Sequence, residues 1–472
     1  MLKTQQRSRR LPGGVTRTFG FAAALMVSTM FLAPAASAQS LESALQQTTF
    51  SGMVGALNFD YLNHGHSSKD NHAFAVGGHL VAHTGSFEGF SVGLGGYTAQ
   101  SLGIYNNLRG STELTGNYHS IQSFRQAYLQ YQNDTVEIRF GRQLINTPWA
   151  NPDYYTFNPR AFMGVAGKVD VIGGKSGGVD AGPLQLSGSD AKFSIFAARM
   201  FNYDSRYSSS FISGNRYTSA PTNGFITLGA LFQDDFQGNH ITVQGWYYDF
   251  YHFAQLFYGE ADVTHPISPN TSVLGAVQIV SEGNSSGDGV FQFTDGNANS
   301  VDAHIYGGKL GMSFGNDTVA LVGDYSPVNY NSYRHGGLVH PYNDLTGTDF
   351  TDTMQAGLED LGPGYAYGIT SKFGFLNNKL GLSANYIRYV ARYGFGGSTY
   401  SYNGPYGFPV GTPISNQKLW ALQVGASYDL SSILKGLYVE DDTDIEVAEN
   451  RGDIGPYHNP YFSNRFYFKY RF

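Results

Sequence analysis

The sequence predicts an all-β fold, a transmembrane antiparallel β-barrel of eighteen strands with long extracellular loops. Three observations indicate this fold. Segments of about ten residues alternate apolar and polar side chains with a period of two, which is the signature of a strand with one face in lipid. Short and long connections alternate between these segments, and the composition is poor in charge but rich in glycine and aromatic residues.

The composition excludes two other classes of protein. Charged residues make up 14% of the 472-residue chain, whereas a soluble domain carries about 25%. Hydrophobic residues reach only 41%, and no apolar run after residue 38 is long enough for a membrane-spanning helix. A wall with one apolar and one polar face gives such proportions. The chain has no cysteine, which excludes disulfide and thiolate chemistry.

The N-terminus is predicted to be a secretory signal peptide, residues 1–38. Five basic residues precede the apolar run FGFAAALMVSTMFLA, and Ala36-Ser37-Ala38 offers a cleavage site. A short N-terminal segment, 39–49, then leads to the barrel, 50–472. Removal of the signal takes away five of the 29 basic residues and none of the 36 acidic ones, so the acids exceed the bases by 12. Nucleic acid is therefore an unsuitable partner.

The predicted strands follow the period-2 segments in chain order. They cover 50–60, 72–84, 87–98, 123–132, 135–144, 166–174, 191–200, 224–233, 240–250, 254–263, 272–282, 302–314, 317–326, 364–374, 379–390, 417–429, 435–447 and 462–472. Tight turns at one end and long loops at the other are typical of an outer-membrane barrel. Two connections fit this pattern less well, because 175–190 is long for a turn and 251–253 is short for a loop.

The last strand, in NRFYFKYRF, shows the alternation most clearly. Phe466, Phe468, Tyr470 and Phe472 share one face, and cations occupy the other. Only a closed sheet satisfies every backbone group in hydrocarbon, so this strand must pair with the first one. Its aromatic face would contact lipid and lipopolysaccharide of the outer membrane, and the terminal Phe resembles the signature read by the barrel-insertion machinery.

The segment 123–165 resembles OprD-type outer-membrane porins. The likeness rests on Gly141-Arg142-Gln143, Thr147-Pro148, Asp153 and the pattern Pro159-x-x-Phe162-x-Gly164. The stretch YDLSSILKGLYV, 428–439, is similar to the last hairpin of that family. One position departs from the family pattern, because Tyr155 stands where an arginine is common.

The resemblance implies an 18-stranded pore for small solutes, often amino acids or other carboxylates, narrowed by loops that fold inward. The candidate pore constriction in loop 3 consists of Asp153, Tyr154, Tyr155 and Arg160. The alternative is that this loop caps the barrel from outside. Loop 327–363, with Arg334, Asp344, Asp349 and Asp352, is a second candidate for folding inward.

Charged residues on the polar face of the strands are candidate lumen residues. The basic candidates are Arg139, Arg142, Lys372, Arg388, Lys469 and Arg471. The acidic candidates are Glu440, Asp442, Asp444 and Glu446. Each basic residue could guide an anion or pair with an acid of the wall; the acidic row could attract cations or pair across to the next strand.

The sequence therefore predicts a porin that lets small-molecule solutes diffuse passively across the bacterial outer membrane, as a monomer or loose trimer, without cofactor and without enzymatic activity. The alternatives are a nonselective general diffusion porin and, less favoured, a barrel enzyme, for which no Ser–His pair can be placed. A further hypothesis, which the sequence does not favour, is that His64 and His66 bind a metal ion with His72 as an additional ligand.

Overall fold

The computed structural model describes residues 40–62, 71–105, 114–115, 119–173, 192–285, 300–342, 348–392, 417–450 and 461–472. The predicted signal peptide, His64, His66, Asp344 and residues 175–190 lie outside these ranges. Within them, no helix has both the length and the apolar character that a membrane span requires.

The described chain is almost entirely β-structure, apart from helix α1 (Leu41–Gln46), a 3₁₀ turn (Tyr333–His335) and helix α2 (Leu358–Leu361). The eighteen strands found in these ranges are β1 (Thr49–Leu62), β2 (Asn71–His83), β3 (Phe90–Gln100), β4 (Ile121–Gln132), β5 (Val136–Gln143), β6 (Ala161–Ile172), β7 (Lys192–Asp204), β8 (Phe225–Phe236), β9 (Asn239–Phe250), β10 (Ala254–Ser268), β11 (Thr271–Asn284), β12 (Asp302–Phe314), β13 (Asp317–Ser326), β14 (Gly364–Phe375), β15 (Leu380–Ala391), β16 (Gln417–Asp429), β17 (Leu437–Asn450) and β18 (Tyr461–Arg471).

The sheet is a closed antiparallel barrel. Each strand pairs with its neighbours in sequence, and β1 pairs with both β2 and β18. The closing register sets Val54 opposite Tyr470 and Phe59 opposite Arg465. Closure leaves no strand with an unpaired edge, which is the condition for a sheet in hydrocarbon. The predicted fold class and its strand count are confirmed.

The outer face of the wall is apolar and exposed, and the inner face is polar or buried. On β13, Leu321 and Tyr325 point outward with 60% and 46% of their surface exposed, whereas Ala320, Val322 and Asp324 are buried inside. The same alternation occurs on β3, where Phe90, Val92 and Leu94 are exposed. Such a continuous apolar surface requires an apolar solvent, and a bilayer supplies it.

The strand boundaries differ from the predicted ones mainly at two places. Strand β6 begins at Ala161 rather than 166, and β10 continues to Ser268 rather than 263. Pro266 pairs with Ser272 just before a register shift. A proline in the sequence suggests that a strand has ended, but here the strand continues for two residues beyond it. The three-residue connection 251–253 is a genuine short loop, in which Phe253 N donates to Phe250 O at 2.9 Å.

Loops fill a large part of the barrel interior. The connection between β5 and β6, residues 144–160, is called loop 3 below. Its Trp149 is fully buried and belongs to an aromatic cluster with Phe162 of β6 and Tyr248 of β9, and its backbone N donates to the Tyr248 hydroxyl at 3.2 Å. Tyr342, from the connection between β13 and β14, joins the same cluster. The hydrophobic core of this protein therefore lies inside the barrel, between wall and loops.

The turn between β16 and β17 depends on a glycine. Gly436 has φ +88°, and a Cβ there would lie 2.1 Å from the carbonyl oxygen of Arg471. We expect Gly436→Ala to lower the free energy of unfolding by several kcal/mol, because it adds a backbone clash to a left-handed conformation that itself costs about 1–3 kcal/mol. The measurement is the fraction of folded, heat-modifiable barrel on gels across a urea series.

Gly238→Ala is the matched control. Gly238 has a similar φ of +79°, but an added Cβ meets nothing within 4 Å. This variant should lose only the part of the unfolding free energy that the left-handed backbone conformation costs. Equal losses of unfolding free energy in the two variants would show that the clash with the Arg471 carbonyl does not contribute to the effect.

Candidate pore constriction

A cavity of about 390 Å³ lies between loop 3, the loop between β13 and β14, and the wall formed by β16, β17 and β18. The second loop, residues 327–363, is called loop 7 below. Its contribution to the cavity is Asp349, Asp352, Thr353 and Met354, and loop 3 contributes Tyr154 and Tyr155. The wall contributes Gln423, Glu440, Asp442, Arg465, Tyr467 and Lys469. Both loops predicted to fold inward thus meet at one place inside the barrel.

The tip of loop 3 is organised around Asp153. This residue has a φ of +49°, which non-glycine residues adopt rarely and mostly at special sites. Its carboxylate pairs with Arg160 at 3.0 Å and also contacts Arg206, which comes from the connection between β7 and β8. Both guanidinium groups are almost completely buried. Asp153 and Arg160 are therefore structural here, because they neutralise each other while they hold the loop in place.

Tyr155 links this structural cluster to the wall. Its ring centroid lies 3.8 Å from the guanidinium carbon of Arg206 and 4.0 Å from that of Arg465 on β18. The Tyr467 hydroxyl also donates to the Tyr155 carbonyl at 3.0 Å. An aromatic ring stabilises a guanidinium packed on its face. Tyr155 thus positions Arg465, an arginine supplied by a strand.

Loop 7 is fastened to the wall by carboxylates. Asp324 of β13 accepts hydrogen bonds from Thr351 N at 2.8 Å and from its hydroxyl at 2.7 Å. Asp444 of β17 accepts from the Thr353 hydroxyl and from Gln355 N, both at 3.1 Å. These bonds hold Asp352 and Thr353 at the cavity. Hydrogen bonds to ionised acceptors are stronger than neutral ones, so the fastening is firm.

Asp349 lies within the same loop and is buried. Burial is the main cause that raises the pKa of its carboxyl well above the usual range, and the neighbouring charges of Glu359 and Asp324 raise it further. The backbone N–H of Glu359 donates to it at 3.2 Å. Burial and the neighbouring acids therefore disfavour the charged form of this carboxyl.

The acidic and basic rows of the last two strands lie next to each other. Glu440 and Asp442 of β17 face the cavity beside Arg465 and Lys469 of β18. The register sets Asp442 opposite Arg465, and Lys469 Nζ lies 3.8 Å from Glu440 Oε2. The wall therefore presents negative and positive groups side by side. Asp444 and Glu446, further along β17, are buried beneath loop 7.

The remaining predicted basic residues fall on both sides of the wall. Lys372 shares the inner face of β14 with Ala366, and Arg471 continues the inner row of β18, where it packs on the Tyr438 ring at 4.6 Å. Arg139 is inside and buried, with its Nε 2.8 Å from Glu137 and 2.7 Å from Gln130. Because this guanidinium already has a carboxylate partner, it contributes little net charge to the pore.

Arg142 and Arg388 do not face the lumen. Arg142 is three residues from the inward Arg139, so the two side chains point to opposite faces of the strand. Arg142 shares the outer face with Phe140 and packs on the Phe211 ring at 4.9 Å. Arg388 lies between two buried inner residues of β15, Ile387 and Tyr389. The prediction that these two arginines line the lumen is therefore wrong. Strand parity holds at both positions, and the outward arginines lie near the long-loop ends of their strands, where polar head groups begin.

Two arginines that matter for this site escaped the sequence-based candidate list. Arg206 belongs to a long loop, and no strand period marks it. Arg125 on β4 is completely buried and donates to the carbonyl oxygens of Pro159, Ser205 and Ser208 at 2.8, 3.0 and 2.7 Å. It faces inward because a register shift interrupts the alternation of β4. Only the contact between the loops reveals either role.

Comparison with known proteins supports the fold of a porin. No model of a known protein family matches the sequence, and no curated protein sequence matches it. Among solved structures, OccK9 (OpdG) of Pseudomonas aeruginosa aligns with a TM-score of 0.69 at 13% identity, over 91% of this chain and 99% of that one. OccAB3 of Acinetobacter baumannii aligns with 0.67 at 15% identity, over 90% and 99%.

A third similar structure was solved with a bound ligand. OccK2 (OpdF) of Pseudomonas aeruginosa, in complex with glucuronate, aligns with a TM-score of 0.66 at 12% identity, over 91% of this chain and 99% of that one. The described part of the chain shares with these structures a closed antiparallel barrel of eighteen strands. The structural neighbours are OprD-family porins, so the family that the loop 3 motifs indicate is also the one whose architecture the chain shares.

The fastening of loop 7 predicts a change in conductance. We expect the double variant Asp324→Asn, Asp444→Asn to weaken four hydrogen bonds to loop 7, since bonds to a charged acceptor are worth about 1.5–3 kcal/mol and neutral ones about 0.5–1.5 kcal/mol. The loop should then leave the cavity more often, and single-channel recordings should show larger or noisier conductance.

The control for loop 7 is Asp235→Asn. Asp235 lies at the short-turn end of β8, 2.7 Å from His240. Several strands separate β8 from loop 7, which joins β13 to β14. Conductance like that of the unmodified protein in the double variant would mean that the two carboxylates do not decide the position of loop 7.

The charge pairing inside the lumen predicts which arginine affects ion selectivity. Arg465→Gln should shift the reversal potential toward cation preference, because its guanidinium borders the cavity. Arg139→Gln should shift it much less, because Arg139 is buried and does not border the cavity. Planar-bilayer recordings in a salt gradient measure both, and a larger shift for Arg139→Gln would contradict this assignment.

Proposed function

We propose that this protein is an outer-membrane porin of the OprD type that permits passive, substrate-selective diffusion of small polar solutes, namely amino acids or other small carboxylates. The observation that carries the proposal is the constriction itself. Two inward loops and the β17–β18 wall enclose a cavity of about 390 Å³ with basic and acidic groups side by side, a volume suited to one small solute.

The basic half of the constriction suits a carboxylate. Arg465 is held by Tyr155 at 4.0 Å, so its planar guanidinium is fixed before a solute arrives. Lys469 follows four residues further along β18, on the same face and about 13 Å away at the strand rise. The two cations are thus successive positive positions along the lumen for a solute carboxylate.

The acidic half favours solutes that also carry an amino group. Asp352 on loop 7 and Glu440 and Asp442 on β17 border the same cavity. A zwitterionic amino acid finds a partner for both of its charges there, whereas a simple carboxylate leaves the acids uncompensated. Within the proposed substrate class, the arrangement therefore fits amino acids better than simple carboxylates.

The structural neighbours support the proposed class of substrates, but they do not identify the solute. OccK2 was solved with glucuronate, a small carboxylate. We further propose that the chain reaches the outer membrane after cleavage of its signal peptide at residue 38. The inward position of loops 3 and 7 does not support the alternative of a general diffusion porin. Such loops narrow a pore, so that a solute must contact the residues that line it.

A swelling assay with solutes of similar size tests the proposal. Proteoliposomes would be exposed to serine, lactate, ethanolamine and glycerol, which differ in charge far more than in size. We expect serine to enter fastest and glycerol more slowly by roughly five-fold, the ratio that corresponds to about 1 kcal/mol. Arg465→Gln should reduce the advantage of serine and lactate, and Arg139→Gln should preserve it.

Entry that follows molecular size alone would identify a nonselective general diffusion porin. The absence of swelling with every solute, from liposomes that contain folded barrel, would overturn the assignment as a porin.

A further inference from the structure

Arg206 lies behind the constriction rather than in it. Its side chain is almost completely buried, with 3% exposed, and it does not line the cavity. It comes from the connection between β7 and β8, residues 205–224, which is called loop 4 below. The proposed solute path does not use this cation.

Arg206 and Arg465 share one aromatic ring. The centroid of the Tyr155 ring lies 3.8 Å from the guanidinium carbon of Arg206 and 4.0 Å from that of Arg465. A guanidinium group is planar and stacks on aromatic faces, so two of them this close to one centroid fit only on its opposite faces. Tyr155 is therefore held between a cation of loop 4 and a cation of the β18 wall, and each contact is a cation–π interaction.

Several contacts fix the side of this stack that belongs to the loops. Arg206 contacts the Asp153 carboxylate, and its Nη2 donates to the Tyr207 hydroxyl at 2.9 Å. The hydroxyl oxygens of Tyr207 and Tyr155 are 3.0 Å apart. The Tyr155 side chain is thus held at one ring face and at its hydroxyl group, so it cannot turn away from Arg465 without breaking both contacts.

Loop 4 itself is fixed by a buried arginine. Arg125 of β4 is completely buried, and its guanidinium donates to the carbonyl oxygens of Ser205 and Ser208 at 3.0 and 2.7 Å. These two residues stand on either side of Arg206 in the sequence. The same guanidinium donates to Pro159 O of loop 3 at 2.8 Å. One buried group therefore sets the positions of loops 3 and 4 relative to each other.

Arg465 forms the other end of the stack, at the cavity. Its guanidinium carbon also lies 4.8 Å from the ring centroid of Phe59 on β1, so aromatic rings limit its movement on two sides. The guanidinium carbons of Arg465 and Arg206 are at most about 8 Å apart, and salt screens buried charges at such distances only weakly. The like charge of Arg206 therefore disfavours movement of Arg465 toward the loops and favours its position at the cavity.

We propose that Arg206 is a positioning residue for the constriction. It acts through Tyr155 to hold the Arg465 guanidinium at the cavity, and it thereby sets the anion preference of the pore without contact with the solute. This inference rests on the proposed function in one respect, namely that Arg465 borders the solute path. Loop 4 contributes no residue to the cavity lining, yet it decides where this cation lies.

Reversal potentials of three single variants test the inference. Arg206→Gln should lower the ratio of anion to cation permeability by roughly two- to five-fold, since charges about 8 Å apart interact with about this strength at a dielectric constant between those of a protein surface and water. Arg206→Lys keeps a cation beside the ring and should restore most of the ratio. Asp153→Asn removes the acid that faces Arg206 and should raise the ratio instead.

The sign of the Asp153→Asn change separates positioning from general support of the loop. If Arg206 merely stabilised loop 3, then Arg206→Gln and Asp153→Asn would loosen the same tip and shift the ratio in the same direction. Such a result would overturn the inference, and so would an Arg206→Lys variant that behaves like Arg206→Gln.

The heat-modifiable gel shift establishes that each variant is a folded barrel before recordings are compared. If Arg206→Gln does not fold, Tyr155→Leu takes its place. This variant removes the ring between the two cations and should lower the ratio in the same way. An unchanged ratio in the folded Tyr155→Leu barrel would overturn the inference.

A double variant tests whether Arg206 acts through Arg465. Arg206→Gln added to Arg465→Gln should have less than half of its effect on the unmodified protein, because the cation that it positions is already absent. Independent effects of the two changes would show that Arg206 acts on the solute path directly, and would overturn its role as a positioning residue.

The swelling assay distinguishes this inference from the proposed function. Uptake by the unmodified protein that follows size alone would overturn the proposed function, while a lower permeability ratio in Arg206→Gln would still support the positioning of Arg465. Charge-dependent uptake, with a reversal potential that Arg206→Gln leaves unchanged, would overturn the positioning role and leave the proposed function intact.

Discussion

The structure depends on one constraint, the need to satisfy every backbone N–H and C=O group inside hydrocarbon. A sheet meets this need only when it closes, and here β1 and β18 complete the circle. Closure fixes the direction of every side chain, since alternate residues must face lipid or lumen. The hydrophobic cluster around Trp149 and Tyr342 therefore forms inside the barrel, where loops supply the apolar surface that a second layer supplies in a soluble protein.

The same constraint explains why so many charges of the lumen are structural. Loops that enter the barrel bring carbonyl groups away from bulk water, and those groups need donors. Arg125 supplies them to loop 3 and the following long loop, while Asp324 and Asp444 accept from loop 7. Charges that hold loops are unavailable to guide a solute. Arg465 and Lys469 remain at the cavity, and Tyr155 holds the first of them.

The outer wall shows the constraint from the other side. Apolar alternation is the rule there, and successive residues of one strand face lipid and lumen in turn. On β17, Asp442 borders the cavity, whereas Asp441 lies on the outer face and accepts a hydrogen bond from Asn464 Nδ2 at 2.6 Å.

The sequence alone determined the barrel, its strand number and the loop asymmetry, because a period of two and turn spacing are local properties. The inward position of loop 3 was implied only by the resemblance to OprD-type porins. The sequence also placed Glu440 and Lys469 on the inner face by parity. Tertiary structure decided the rest. Only the structure shows that the alternation continues unbroken to Arg142 and Arg388, and the pairing of Asp153 with Arg206 joins residues of different loops. Such contacts depend on how the closed barrel folds its loops together, and no local pattern records that.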